Sequence, residues 1–189
     1  MRVIGGKYGG RRLATVRGEV RPTGDRLRES LFDILGAQVE GSSWLDGLAG
    51  SGAVGIEALS RGAARVTFND RDRATLRLLR KNLDLCAIED GFEVHQKDIF
   101  VLLRQLRDPE RFDFVFLDPP YDFGRHAKLL TRTAKCPLVQ AGAIVILESL
   151  GKSPLPETPP SLQLFHQAQA ANSRLSLYRQ GRGTHRIRS

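Results

Sequence analysis

Residues 43–61 read Ser43-Trp44-Leu45-Asp46-Gly47-Leu48-Ala49-Gly50-Ser51-Gly52-Ala53-Val54-Gly55-Ile56-Glu57-Ala58-Leu59-Ser60-Arg61. The stretch opens as a short strand, Ser43 to Asp46, turns through glycine, and continues as a helix from Ala53 to Arg61. Gly50, Gly52 and Gly55 form G-x-G-x-x-G at the junction, where the absence of side chains lets backbone pass close to a ligand. A strand, a glycine turn and a helix in this order start an α/β unit, and the rest of the chain can be read from it.

Downstream the alternation repeats. Arg65 to Asn69 is a strand and Asp72 to Leu85 a helix; Phe92 to His95 is a strand and Ile99 to Arg107 a helix. Phe112 to Leu117 is a strand followed by a helix near Gly124 to Ala134, and Ala143 to Leu147 is a wholly apolar strand. Apolar strands separated by helices predict a parallel sheet covered on both faces. Pro154 to Pro160 disfavours regular structure. Leu162 to Phe165 and Arg174 to Tyr178 then alternate like antiparallel strands, with His166 to Ser173 expected between them. A mostly parallel, Rossmann-like sheet of seven strands closed by a C-terminal antiparallel hairpin is what class I methyltransferases look like.

Upstream, Arg2-Val3-Ile4 and Arg11-Arg12-Leu13-Ala14 flank a glycine-rich turn and predict a β-hairpin. Thr23 is placed to cap a helix whose Leu27, Leu31, Ile34 and Leu35 share one face, and Gly36 is a natural stop. Residues 1–36 are therefore expected to be a hairpin-and-helix extension, and 37–189 the methyltransferase domain.

The chain has 189 residues, 41% of them hydrophobic and 26% charged, which is an ordinary single-domain composition. No apolar run approaches the ~20 residues of a membrane span. Met1 leads directly into polar, Gly-rich sequence rather than a secretory segment, so a cytoplasmic protein with no membrane partner is expected. Cys86 and Cys136 match no metal-ligand spacing and are read as buried thiols of a reducing cytosol rather than a disulfide. His95, His126, His166 and His185 are scattered, so no metal is expected. The net charge of +8, with 29 Lys and Arg against 21 Asp and Glu, suits a polyanionic partner. Its basic residues gather at the two ends: Arg2, Lys7, Arg11, Arg12, Arg17, Arg21, Arg26 and Arg28 near the start, Arg182, Arg186 and Arg188 in the tail.

The glycine motif alone serves dinucleotides and S-adenosylmethionine equally. Asp46, closing the strand before it, favours the latter: a carboxylate there repels a pyrophosphate but complements the ammonium of a methionine moiety. Ala49, Gly50, Ser51 and Gly52 form the candidate cofactor loop. Asp70, after the second strand, is placed to accept hydrogen bonds from ribose hydroxyls, whereas Asp72 reads better as a helix N-cap. Asp98 is open between an N-cap and a contact to an adenine amino group.

Asp118-Pro119-Pro120-Tyr121 follows the apolar strand Phe114 to Leu117, at the edge where open α/β sheets present ligands. An aryl or amide nitrogen is a poor nucleophile because its lone pair is delocalised. A carboxylate and a rigid backbone carbonyl accept its two hydrogens and align the lone pair, while each proline contributes a carbonyl with no competing N–H. Tyr121 can stack on the base. Such a site works by orientation and proximity, with the donor supplying the reactivity and no separate general base.

Asp118 to Tyr121 together with Ala49-Gly50-Ser51-Gly52 resembles the amino-methyltransferases of nucleic acid. The start of the chain is more specific. Arg2-Val3-Ile4-Gly5-Gly6, Gly10-Arg11-Arg12-Leu13, Arg21-Pro22-Thr23, Asp25-Arg26, Arg28-Glu29 and Leu31-Phe32 closely resemble the bacterial RsmD family, as does Gly55 to Ala63. The resemblance covers nearly the whole chain. It implies S-adenosylmethionine-dependent methylation of guanine N2 in 16S rRNA, on a small subunit or its assembly intermediate rather than naked RNA. Two departures stand out: Leu48 preceded by Gly47 where the family has a bulky aromatic, and Asn69-Asp70 where it reads apolar then Glu. Arg12, Arg21, Arg26 and Arg28 are the expected RNA contacts, in a segment that partly closes the site; an internal ion pair is the alternative for Arg28. The protein is read as a monomer. Rivals are a DNA adenine or cytosine amino-methyltransferase, a protein glutamine methyltransferase, and a non-catalytic rRNA-binding assembly factor.

Overall fold

The computed structural model describes residues 1–15, 22–106 and 111–181, without the side chains of Pro22 and Thr23. Arg21, the Thr23 cap, the end of the helix expected to reach Arg107, and the basic tail residues Arg182, Arg186 and Arg188 lie outside it.

Arg2 bridges Arg12 in antiparallel fashion, with Val3 N donating to Arg11 O at 2.9 Å, so the expected N-terminal hairpin is present as a minimal ladder. Helix α1 (Pro22–Leu35) follows and stops where Gly36 adopts φ +53. The core domain runs β1 (Ser43–Asp46), α2 (Ala53–Ser60), β2 (Arg65–Asp70), α3 (Arg73–Leu85), β3 (Phe92–Gln96), α4 (Ile99–Gln105), β4 (Phe112–Leu117), α5 (His126–Ala134), β5 (Val139–Leu150), β6 (Leu162–Ala170) and β7 (Ser173–Gln180).

The sheet has seven strands in the order β3-β2-β1-β4-β5-β7-β6. The first five are parallel; β7 is antiparallel to both β5 and β6. The chain leaves β1 in one direction and β4 in the other, and the cleft between their carboxyl ends is where such sheets hold ligands. The last hairpin is tighter than expected. His166 to Ala170 continue β6, and only Ala171 (φ +49) and Asn172 form the turn. The alternation of Leu162 to Phe165 fades after His166 because β6 is an edge strand with most of its residues exposed, so no buried face imposes a pattern.

Successive residues of a strand point to opposite faces. Trp44 faces one core, stacked between Phe32 of α1 (centroids 5.5 Å) and Phe114 of β4 (4.5 Å). Leu45 faces the other, with Leu117, Val145 and Leu129. Val3, Leu13, Leu27, Leu31 and Phe32 share the Trp44 core, so the N-terminal extension is packed into the sheet's own interior. Each of these fully buried side chains is worth about 1.5–3 kcal/mol.

Candidate active site

The loop after β1 is fixed from several sides. Gly47 N donates to Phe116 O at 2.9 Å, and Ala49 N to Asn69 O at 2.8 Å. Gly50 N donates to Asp70 Oδ2 at 3.1 Å, leaving the other oxygen to accept from Asp72 N at 2.9 Å. The three glycines do different things. Gly50 (φ +55) has open space where a Cβ would stand, whereas a Cβ on Gly52 (φ +79) would come within 2.0 Å of Leu79 Cδ1 and one on Gly55 within 2.2 Å of Phe68 Cε1. Gly50 borders the ligand space; Gly52 and Gly55 let the loop and α2 press onto α3 and β2. Gly52, expected among the cofactor contacts, is not part of the cavity lining described below.

This loop, the ends of β2 to β4 and the start of α1 surround one cavity of about 620 Å³. On one wall stand Ala49, Gly50, Ser51, Asp70 and Asp98; on another Asp118, Pro119, Pro120 and Tyr121. The two groups of candidate residues are thus brought together, with Leu48 beside them, at a volume typical of small-molecule sites. Met1, Thr15, Gly24, Leu27, Arg28 and Leu31 of the N-terminal segment also border it, so that segment forms part of the cavity wall.

Asp46 does not border the cavity. It is 1% exposed, with Oδ2 accepting from Gly55 N at 3.1 Å and Oδ1 without a hydrogen-bond partner among the described residues. Burial pushes its carboxyl up to about 7, the Gly55 bond opposes the shift, and the nearby Asp70 charge adds to it. The carboxylate thus stands behind the loop and outside the cavity lining, where the expected contact with a methionine ammonium is not formed in this arrangement. A strand-terminal carboxylate looks the same in sequence whether it points into a cleft or under it.

Asp98 is both things at once: its Oδ1 accepts from Phe100 N at 2.8 Å at the start of α4, and it borders the cavity. Asp72 caps α3 through Thr75 N at 2.7 Å, as its position suggested. In the Asp118 to Tyr121 turn, Pro120 O accepts from Phe123 N at 2.9 Å, so of the two proline carbonyls only that of Pro119 is left open among the described residues. Asp118 and Tyr121 are exposed at the cavity rim.

The expected RNA contacts separate. Arg28 is 5% exposed, its Nη2 donating to Arg2 O at 2.6 Å and Asp25 Oδ1 at 3.1 Å, with Nε 3.7 Å from Glu57 Oε2. It is an internal brace and cannot turn outward to RNA without leaving Glu57. Its acidic partners are Asp25 and Glu57, while the neighbouring Glu29 is exposed. Arg12 is exposed on the hairpin, away from the cavity wall, and Arg26 is exposed near the start of α1.

Three residues that sequence reasoning passed over hold the site. Asn69 Nδ2 donates to Gly47 O at 2.9 Å and Lys97 O at 3.1 Å, strapping the ends of β1 and β3 to β2. Asn82 Nδ2 donates to Ser51 O at 2.8 Å and Ala14 O at 3.1 Å, joining the cofactor loop to the N-terminal segment. Glu57, fully buried, accepts from Ile4 N at 2.7 Å, Gly5 N at 2.9 Å and Arg61 Nε at 2.8 Å. A Glu inside a helix reads as a surface residue; the backbone amides of Ile4 and Gly5, more than fifty positions away, carry no local signal. Asn69 had one clue, as a polar side chain in an apolar strand.

The family described as Conserved hypothetical protein 95 matches residues 1–179. The Ribosomal RNA small subunit methyltransferase D of Haemophilus influenzae is 37% identical over 158 residues, which is 82% of this chain and 81% of that one. Its namesake in Escherichia coli K12 is 34% identical over 94% of this chain and 89% of its own. Among solved structures, a methyltransferase candidate from Escherichia coli superposes with a TM-score of 0.84 at 33% identity, over 96% of this chain and 98% of that one. The seven-stranded sheet described above is the class I methyltransferase fold.

Proposed function

The chain belongs to the RsmD family, and on that premise we propose that it transfers a methyl group from S-adenosylmethionine to the exocyclic N2 amino group of a guanine in 16S rRNA, on the small subunit or an assembly intermediate in the cytoplasm. The observation that carries this reading is a single cavity with the glycine loop, Asp70 and Asp98 on one wall and Asp118 to Tyr121 on another.

The residues suit that cofactor. Gly50 leaves room for close backbone approach, and Asp70 and Asp98 are carboxylates on the cavity wall that would accept from ribose hydroxyls and an adenine amino group. When bound, S-adenosylmethionine supplies a methyl group on a sulfonium, an electrophile that needs no further activation. The chain's own part is positioning. Asp118 accepts one N–H of the target amino group and the Pro119 carbonyl the other, which turns the nitrogen lone pair toward the cofactor wall. Tyr121 offers its ring to the base, and the Asp118 carboxylate takes the proton that the methylated amino group sheds.

Methyl transfer from labelled S-adenosylmethionine to small subunits that lack the modification tests the reading, comparing the native chain with Asp118→Ala. Label recovered as N2-methylguanine in 16S rRNA, and lost in the variant, is the expected result. Label on adenine, DNA or protein keeps the chemistry and overturns the substrate. RNA binding without transfer to any of these overturns the enzymatic reading.

A further inference from the structure

Helix α5 follows the catalytic turn, and Arg125, Lys128, Arg132 and Lys135 recur along it, all exposed. Spacings of three, four and three place them on one face, turned away from the buried Leu129, Leu130 and Thr133. No acidic residue stands in α5, and among the described residues no ion pair ties any of the four to a carboxylate. A solvated helix face ordinarily mixes signs, and a helix N-terminus ordinarily favours acids over the Arg125 and Lys128 found here.

The stripe begins at the active site. Arg125 borders the cavity, and its guanidinium lies 5.0 Å from the centroid of Phe100 and 4.9 Å from that of Phe123. Those rings are stacked, 6.1 Å apart and 9° from parallel, and Lys128 Nζ lies 5.4 Å from Phe100. Phe123 also borders the cavity and bonds back to Pro120. From there the face runs outward for about 15 Å at ~1.5 Å per residue. That matches roughly four steps of a stacked nucleic acid strand at ~3.4 Å each. Cations interleaved with aromatic rings, leading from a base-sized opening, are what a single strand requires.

We propose that this face of α5 carries the phosphodiester strand flanking the target base, with Lys128, Arg132 and Lys135 on successive phosphates and Arg125 at the entrance. The inference rests on the reading that the cavity methylates a base in RNA. It adds a binding surface on α5, distinct from the N-terminal segment.

The test compares the full chain with the triple variant Lys128→Gln, Arg132→Gln, Lys135→Gln; Arg125 is spared because it borders the cavity. Binding of a labelled 16S rRNA fragment and of small subunits is measured between ~50 and ~200 mM salt, alongside S-adenosylmethionine affinity and steady-state kinetics. RNA affinity should fall about tenfold or more near 0.1 M salt, and the slope of log K against log salt should shrink by about 2 to 3. KM for small subunits should rise by a similar factor, with kcat and cofactor affinity unchanged. The swap Lys128→Arg, Arg132→Lys, Lys135→Arg should restore both slope and KM. Unchanged RNA affinity and slope overturn the proposal, as does loss of cofactor affinity. So does loss of small-subunit binding with free RNA unaffected, which would identify an acidic protein as the occupant. If the native chain methylates no RNA yet shows the salt slope that the variant loses, the surface stands and the methyltransferase reading falls.

Discussion

The Tyr121 hydroxyl lies 3.1 Å from the Ser173 hydroxyl, which ties the turn that carries the candidate catalytic Asp118 to the first residue of β7. The C-terminal hairpin therefore does more than complete the sheet: it props the rim of the cavity at the point where a base would enter. The contact is exposed, so its own contribution is about 1 kcal/mol at most. The ring is the larger asset, since stacking on a base is worth about 1–3 kcal/mol.

Tyr121→Phe should accordingly lower kcat/KM by less than about fivefold, while Tyr121→Ala should lower it by about 5- to 150-fold. Steady-state methyl transfer separates the two. If Phe is as poor as Ala, the bond to Ser173 is the functional element and the stacking role is wrong.

Asp46 predicts a pH dependence with a definite sign. Its carboxyl is pushed up to about 7 in the folded chain from the ordinary 3.8, chiefly by burial. A raised acid favours folding while protonated, so its stabilising share is present below pH ~4 and is lost as pH rises towards 7. The loss is at most about 4 kcal/mol at 1.36 kcal/mol per unit. Asp46→Asn keeps an acceptor for Gly55 N and carries no charge. In urea unfolding, the stability of this variant relative to the native chain should increase between pH 5 and 8. A difference that stays flat over that range contradicts the assignment.

A cation in the cavity draws the same group back down. S-adenosylmethionine binding should therefore tighten as pH rises from 6 to 8, and the Asp46→Asn variant should lose that trend. Calorimetric titration in buffers of different ionisation enthalpy would reveal the released proton; identical proton release by the variant would exclude Asp46 as its source.

Glu57 holds two backbone amides of the N-terminal segment and both Arg61 and Arg28 while wholly buried. Removing it takes from the buried Arg28 one of its two carboxylate partners and leaves the Ile4 and Gly5 amides without their acceptor, a loss of about 3–5 kcal/mol. For Glu57→Ala this corresponds to a fall in Tm of roughly 6–20 °C. Amide exchange at Ile4 and Gly5 should accelerate more than at Val145 in the centre of β5. Uniform acceleration across the molecule would mean that Glu57 supports the whole core and not this segment.

The glycines can be told apart by one methyl group. Gly55→Ala pushes a Cβ to 2.2 Å from Phe68 Cε1 and should lower stability by about 1–3 kcal/mol. Gly50→Ala meets open space beside the cavity, so its strain at φ +55 should cost about 1 kcal/mol while its methyl group takes up room that the proposed cofactor would use. Thermal unfolding and cofactor affinity should move in opposite order for the two variants; equal loss of affinity would argue against different roles.

What the sequence determined by itself was local. Apolar runs such as Phe114 to Leu117, the face of Leu27, Leu31 and Leu35, the stop at Gly36 and the cap at Asp72 are set by residues within a turn or two, and each element appears where its pattern stands. The glycine loop and the Asp118 turn were legible as candidates for the same reason, since both depend on backbone chemistry that a few adjacent residues impose. What only the tertiary structure decided is which polar groups face the cavity and which face each other. Asp46 goes under the loop instead of into the cleft, Arg28 turns inward to Glu57, and Asn69 and Asn82 close gaps between strands and segments distant in sequence. The physical reason is desolvation: a buried polar group must find a partner, and that partner is chosen by packing across the sheet, not by neighbours along the chain.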